Sequence, residues 1–154
     1  MSFTTNPPSV VVNSPTMSIV NSHHVFSILF AEDDEDDREF LMHALRNVGS
    51  YHKVHMATNG KEALEILFNL SPEDGLPCVI ILDLNMPVLD GIQTLEILNH
   101  KASFQHIPKI IFTTSASEID RVRSLSKGAT DFVVKPSNMP DFVKTVEGML
   151  RYCM

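Results

Sequence analysis

The chain has 154 residues, a length typical of one domain with a short tail, and a hydrophobic fraction of 44% that is enough to build a core. Its formal net charge of −7 argues against a general nucleic-acid binder, because a basic surface is needed to counter the repulsion of the phosphates. No apolar run approaches the roughly 20 residues that a membrane-spanning helix needs, so we expect no contact with a membrane.

Residues 1–24 differ from the rest of the chain, because Ser, Thr, Asn and Pro dominate them. A segment of this composition buries too little apolar surface to offset the entropy that is lost on ordering. It also lacks the basic start and the long apolar stretch of a signal peptide. We therefore predict a flexible N-terminal tail over residues 1–24 and one folded domain over residues 25–154.

Two cysteines, Cys78 and Cys153, are too few for a disulfide framework. Cys78 opens an apolar run and Cys153 lies near the end of the chain, and we interpret both as reduced thiols. Together with the missing signal peptide, they favour a cytoplasmic location.

From residue 25 onward, short apolar runs alternate with segments in which apolar residues recur at intervals of three or four. The first pattern predicts buried strands and the second predicts amphipathic helices. In chain order, the predicted strands occupy residues 27–31, 54–57, 79–82, 109–112 and 132–134. The predicted helices alternate with them and include the apolar positions at 40–48, 63–68, 92–99, 119–125 and 142–150. Gly49 and Gly128 are predicted to end the first and fourth helices.

The third predicted strand, residues 79–82, indicates the class of the fold. It is apolar without alternation, which is typical of a central parallel strand that is covered on both faces. Five strands that alternate with five helices then predict a doubly wound α/β fold with right-handed crossovers. In such sheets the functional site lies beyond the carboxyl ends of the strands.

Charged and hydroxyl residues follow four of the predicted strands at that edge. An acidic run that starts with Glu32 and Asp33 follows the first strand, Asp83 follows the third, Thr113 follows the fourth and Lys135 follows the fifth. Clustered carboxylates cost stability unless a cation lies among them, and hard carboxylate oxygens in a small open site suit Mg²⁺. A metal, an ammonium and a hydroxyl around a nucleophilic carboxylate predict phosphoryl transfer, with the carboxylate of Asp83 as the acceptor.

Five segments carry a resemblance to a known family. They read ILFAEDD at 28–34, NGKEAL at 59–64, ILDLNMPVLDG at 81–91, FTTS at 112–115 and FVVKP at 132–136. In this order they resemble the receiver domain of response regulators, of the stand-alone, chemotaxis-regulator-like type. The resemblance covers nearly everything from residue 25 onward. It implies a flavodoxin-like fold with a five-stranded parallel sheet of strand order 2-1-3-4-5 and five helices.

The resemblance implies a role for each residue that would meet the phosphoryl group. Asp83 is the implied phosphoacceptor, and Thr113 and Lys135 supply the hydroxyl and the ammonium that contact the phosphoryl group. The peptide bond between Lys135 and Pro136 is expected to be cis, which a following proline makes tolerable. Thr113 and Phe132 are the implied switch residues, although a phenylalanine in a strand is also explained as plain core.

The resemblance also implies a metal site. Glu32 and Asp33 match the acidic pair that holds Mg²⁺, with Asp33 as a direct ligand. Asp83 would contribute its carboxylate to the same ion, and Asn85 would contribute its backbone carbonyl. The remaining acidic residues of the run, Asp34, Asp36 and Asp37 among them, are interpreted mainly as a negatively charged helix start, which capping and the helix dipole favour.

The implied function is that of a phosphoacceptor in a two-component system or phosphorelay. A histidine kinase or a histidine phosphotransfer protein would phosphorylate Asp83 in the presence of Mg²⁺, and the altered surface would bind a downstream protein. We expect no output domain, no direct binding to nucleic acid, and no enzymatic activity beyond self-phosphorylation and self-dephosphorylation. A homodimer through the fourth helix, the fifth strand and the fifth helix is a further expectation. The acidic run that extends through Asp37, with Arg38 next, and the long loop before the third strand both resemble a subgroup of stand-alone receivers, some of which partner phytochrome-type or hybrid histidine kinases.

Two other functions stay open. A degenerate receiver would act as a phosphorylation-independent binding module, and the intact set of acceptor, acidic, hydroxyl and ammonium residues argues against it. A phosphohydrolase of the haloacid-dehalogenase type would also use an aspartyl phosphate. Its nucleophile lies in an Asp-x-Asp pattern on the first strand, however, whereas Asp83 follows the third strand and precedes Leu84-Asn85.

Overall fold

The computed structural model describes residues 26–49 and 53–153, so the predicted flexible tail over residues 1–24 lies outside the described residues. Five parallel strands form one sheet in the order β2-β1-β3-β4-β5, which confirms the predicted fold class. The strands are β1 (Ser27–Ala31), β2 (Lys53–Ala57), β3 (Val79–Leu82), β4 (Lys109–Thr113) and β5 (Asp131–Val134). The helices are α1 (Glu35–Asn47), α2 (Gly60–Phe68), α3 (Gly91–Asn99), α4 (Glu118–Ser126) and α5 (Met139–Met149), followed by a 3₁₀ helix (Leu150–Cys153).

The central strands are buried on both faces, as the unbroken apolarity of residues 79–82 predicted. Successive residues of a strand point to opposite faces, so each strand contributes to two separate clusters. One cluster packs against α1 and α5 and includes Ile28, Phe30, Ile81, Phe112 and Phe142. The other packs against α2 and α3 and includes Leu29, Ala31, Ile80, Leu82 and Leu95. This two-sided burial holds the carboxyl ends of β1, β3, β4 and β5 at one edge.

Helix α4 turns its apolar residues towards solvent. Ile119 and Val122 are 79% and 57% exposed, and Leu125 is exposed as well. The buried residue of the helix is Ser124, whose hydroxyl donates a hydrogen bond to the backbone carbonyl of Asp120 (2.7 Å). The predicted helix is therefore confirmed, and its apolar residues face solvent. An apolar stripe on the surface of this helix is typical of a protein-binding face.

The two cysteines do not stay apart as free thiols. Cys78 and Cys153 form a disulfide with a Cα–Cα distance of 5.1 Å, although 75 positions separate them in the sequence. Cys78 directly precedes β3, and the 3₁₀ helix that ends the described chain brings Cys153 to the same end of that strand. The prediction of reduced thiols is wrong because spacing along the chain carries no information about this return of the C-terminal segment.

The peptide bond between Lys135 and Pro136 is also not as expected. Every described peptide bond is trans, this one included, so the predicted cis bond is wrong. Trans is the more stable isomer even before proline, by about 0.5–1 kcal/mol. The strand ladder already orients the lysine, because the backbone N–H of Lys135 donates to the carbonyl of Thr113 (2.7 Å). The side chain therefore reaches the neighbouring strand ends without a cis bond.

No helix within residues 26–49 and 53–153 combines the length and the apolar character that crossing a membrane requires.

Reduction of the disulfide is expected to lower the free energy of unfolding by about 2–4 kcal/mol, because the cross-link closes a long loop and restricts the unfolded chain. Urea denaturation with and without dithiothreitol measures the difference. Cys153→Ala serves as the control, because its unfolding should not respond to the reductant. An unfolding midpoint of the wild-type protein that ignores the reductant would contradict the expectation.

Candidate functional site

The end of β1 leads directly into the acidic segment. The backbone N–H of Glu32 donates to the carbonyl of Ala57 (2.9 Å), which extends the pairing of β1 with β2 by one residue. The Glu32 side chain is 1% exposed, and its carboxylate accepts a hydrogen bond from the backbone N–H of Asp34 (3.0 Å). Asp33, by contrast, is exposed. Two adjacent carboxylates thus point to different surroundings, one inside the molecule and one towards solvent.

Asp83 lies directly beyond β3 and is buried. Its backbone N–H donates to the carbonyl of Ala31 (3.0 Å), so the ladder between β1 and β3 fixes its position. A Cβ atom at Gly91 would lie 2.3 Å from the carbonyl oxygen of Asp83, and any side chain there would collide with this backbone. Gly91 is therefore a positioning residue of the site, because it lets α3 begin against Asp83.

Thr113 ends β4, and Lys135 directly follows the neighbouring strand β5. Thr113 is fully buried, and its hydroxyl accepts a hydrogen bond from the backbone N–H of Ser115 (3.2 Å). The Lys135 side chain is 4% exposed, and its ammonium lies 5.9 Å from the centroid of the Phe112 ring. Burial of an ammonium is costly unless anions compensate its charge.

Three carboxylates provide that compensation. The Lys135 ammonium contacts Glu32, and it lies 2.8 Å from an oxygen of Asp37 and 3.3 Å from an oxygen of Asp83. An ammonium has three N–H donors, so these three partners account for all of them. One cation therefore joins residues that follow β1, β3 and β5 to the first turn of α1.

The carboxylates of the site outnumber the cation, and the pKa values of Glu32 and Lys135 are shifted. Burial, assisted by the charge of Asp83, raises the pKa of Glu32 to about 8, although hydrogen bonds from Lys135 and Asp34 act in the opposite direction. Burial by itself would lower the pKa of Lys135, but the bonds to Asp37 and Glu32 outweigh it and raise that pKa. The site thus holds a firmly charged ammonium and an excess of negative charge that favours another cation.

The oxygens that could bind a metal ion belong to Glu32, Asp33 and Asp83. One carboxylate oxygen from each residue lies within 4.8 Å of the other two. Hard oxygen donors in a partly exposed cluster fit Mg²⁺, which keeps several of its waters and needs few protein ligands. Asn85, the fourth predicted ligand, is exposed two residues beyond Asp83. The donor set is therefore chemically suited to a divalent cation.

Phe132 lies in β5 with its ring buried in the cluster against α2 and α3. Its backbone carbonyl accepts a long hydrogen bond from the Arg121 guanidinium of α4 (3.5 Å). This position suits a core residue, and the switch role of Phe132 stays a prediction.

The acidic run contains one residue whose contact with the site the sequence did not reveal. Asp34 caps α1 by accepting from the backbone N–H of Asp37 (3.0 Å), which confirms the interpretation of this stretch as a helix start. Asp37, however, also contacts Lys135 and belongs to the site. The signal available in the sequence was the place of Asp37 three residues after the cap residue Asp34. A side chain in the first turn of α1 lies near the strand end that precedes the helix.

Comparisons with known proteins agree with the geometry. Residues 28–147 match the family model described as the response regulator receiver domain. Transcriptional regulatory protein PrrA of Mycobacterium bovis is 36% identical over 80% of this chain, which spans only 49% of PrrA. The structure of the phosphorylated cyanobacterial phytochrome response regulator RcpA is similar, with a TM-score of 0.75 and 26% identity over 83% of this chain and 93% of that one. The Mn²⁺-bound response regulator Rcp1 gives a TM-score of 0.73 and 26% identity over 83% and 94%.

Glu32→Gln is expected to change how stability depends on pH in metal-free buffer. Because the pKa of Glu32 in the folded protein is raised from 4.5 to about 8, the wild-type protein loses stability as the pH rises between these values. Glutamine resembles the protonated side chain, so the variant should keep that stability. The urea midpoint of the variant should exceed that of the wild-type protein near pH 8, and the difference should shrink towards pH 4.5. Glu35→Gln, an exposed change in α1, is the control, and a gap that widens on acidification would contradict the expectation.

Proposed function

The chain belongs to the response regulator receiver family, and we propose that it accepts a phosphoryl group on Asp83 within a two-component system or phosphorelay. The observation that carries this proposal is the surroundings of Asp83: a buried carboxylate lies 3.3 Å from a buried ammonium and next to two carboxylates that suit a metal ion. Such an arrangement stabilises negative charge that arrives on the acceptor oxygen.

The proposed metal is Mg²⁺, held by the carboxylates of Glu32, Asp33 and Asp83 and by the backbone carbonyl of Asn85. The mutual proximity of the three carboxylate oxygens supports the first part of this set, and the relative Rcp1 has been solved with Mn²⁺ bound. Bound there, Mg²⁺ would neutralise charge on the transferring phosphoryl group.

In the proposed reaction, an oxygen of Asp83 forms a bond to the phosphorus of a phosphohistidine. The bond between phosphorus and the histidine nitrogen breaks, and its electron pair returns to the imidazole. Lys135 stabilises the phosphoryl oxygens from one side, and the hydroxyl of Thr113 donates to another of them. The protein supplies position and charge, and beyond its own phosphorylation and the hydrolysis of the product we propose no enzymatic activity.

The hydroxyl of Thr113 connects the site to α4. It accepts from the backbone N–H of Ser115, and the hydroxyl of Ser115 donates to the carboxylate of Asp120 (2.6 Å) in the first turn of α4. If Thr113 turns towards a phosphoryl group, the bond from Ser115 loosens and this turn of the helix is free to shift. We propose that such a shift, together with a movement of Phe132 in β5, switches the surface that partners bind.

The proposed partners are all proteins. A histidine kinase or a histidine phosphotransfer protein donates the phosphoryl group, and a downstream protein binds the apolar stripe of α4. That stripe, together with the exposed Val134 of β5, would also serve a homodimer. The net charge of −7 disfavours direct binding to nucleic acid. We propose a cytoplasmic location on the basis of the family alone, because the disulfide removes the support that reduced thiols would have given.

Intact mass spectrometry after incubation with phosphoramidate tests the function. The wild-type protein should gain one phosphoryl group in Mg²⁺ and essentially none in chelator, and Asp83→Asn should gain none. Asp36→Asn is the matched control, because it makes the same change at an exposed residue of α1 and should behave as the wild-type protein does.

An adduct that persists in Asp83→Asn would place the phosphoryl group elsewhere. A wild-type protein that gains no adduct under any of these conditions would instead favour the phosphorylation-independent binding module.

A further inference from the structure

We propose that Asp37 is a positioning residue that competes with the phosphoryl group for Lys135 and so limits how strongly the site holds a phosphorylated acceptor. The inference rests on the proposed function of Asp83. The Lys135 ammonium nitrogen lies 2.8 Å from a carboxylate oxygen of Asp37 but 3.3 Å from a carboxylate oxygen of Asp83. In this state the lysine is held more closely by α1 than by the proposed acceptor.

The fold keeps Asp37 at this place. Its backbone N–H is bound by the cap residue Asp34 (3.0 Å), and Leu41 anchors the next turn of α1 in the core. The Arg38 guanidinium donates to the backbone carbonyl of Glu32 (2.8 Å), which ties the first turn of α1 to the end of β1. Asp37 therefore cannot follow the lysine if the ammonium moves, and the two separate when Lys135 turns to another anion.

Asp37 and a phosphoryl group on Asp83 would compete for the same N–H donors of Lys135. Phosphorylation of Asp83 adds about 1.5–2 negative charges beside an ammonium whose three N–H groups already have partners. For Lys135 to donate to a phosphoryl oxygen, one existing partner must be released. The Asp37 side chain is 25% exposed, whereas that of Glu32 is 1% exposed. Water can therefore solvate a released Asp37 at lower cost than a released Glu32, so Asp37 is the partner that gives way.

Asp37 acts on the lysine and not on the metal. The carboxylate oxygens that lie close enough together to bind one cation come from Glu32, Asp33 and Asp83, and Asp37 is outside that group. A change at Asp37 should therefore alter the binding of an anion at Asp83 far more than the binding of Mg²⁺ alone. Replacement of a residue that only supported the fold would change the affinity for the anion and the affinity for Mg²⁺ together.

The probe is beryllofluoride, an unreactive mimic of the phosphoryl group, titrated by calorimetry at saturating Mg²⁺ and constant ionic strength. Asp37→Asn should bind it about three- to tenfold more tightly than the wild-type protein, the range expected when one competing partner of a charge-assisted hydrogen bond is lost at a partly exposed pair. Asp37→Glu, which keeps the charge, should return to the wild-type value. Asp36→Asn, which removes the same charge from an exposed position in the same turn, should leave the affinity unchanged.

The affinity for Mg²⁺ alone is measured for each variant and should differ little between Asp37→Asn and Asp36→Asn. Equal beryllofluoride affinities for these two variants would overturn the proposal, and so would weaker binding by Asp37→Asn, which would mean that Asp37 prepares the lysine instead of competing for it. Wild-type protein that binds no beryllofluoride in Mg²⁺ would overturn the proposed function itself, and the role of Asp37 with it.

Discussion

One buried ammonium group holds the functional edge of this protein together. The parallel sheet brings the ends of β1, β3 and β5 to one edge, and the residues that follow them place Glu32 and Asp83 side by side. Without a cation, these carboxylates would repel one another in surroundings that water screens poorly. Lys135 contacts both and also Asp37 of α1, so the side chain that compensates the resting site is the one that the proposed phosphoryl group would recruit.

In the proposed function, this shared use of Lys135 would link stability to signalling. A phosphoryl group on Asp83 would compete with carboxylates that already bind the ammonium, so the resting arrangement would oppose activation to a limited degree. Two hydrogen bonds join Thr113 to Ser115 and Ser115 to Asp120 of α4. We propose that a change in the anion at Asp83 would reach the exposed apolar residues of that helix through these two bonds.

The sequence predicted the parts of the fold that depend on short-range patterns. Unbroken apolarity at residues 79–82 identified the central strand, and the topological rule for parallel sheets then placed Glu32, Asp83, Thr113 and Lys135 at one edge. The sequence could not show which carboxylates form ion pairs with Lys135, because the pairing with Asp37 depends on how α1 is rotated against the sheet. The disulfide was missed because it depends on how distant segments pack and leaves no periodic signal. The periodicity of α4 identified the helix, but it carries no information on whether the apolar residues face solvent.

The competition for Lys135 can be observed in a crystal structure of the protein with Mg²⁺ and beryllofluoride. We expect beryllofluoride on the carboxylate of Asp83, with the Lys135 ammonium and the Thr113 hydroxyl within hydrogen-bond distance of its fluorines and with Asp37 no longer bound to the lysine. A lysine that keeps its contacts with Glu32 and Asp37 while the fluorines have other partners would show that no such competition takes place.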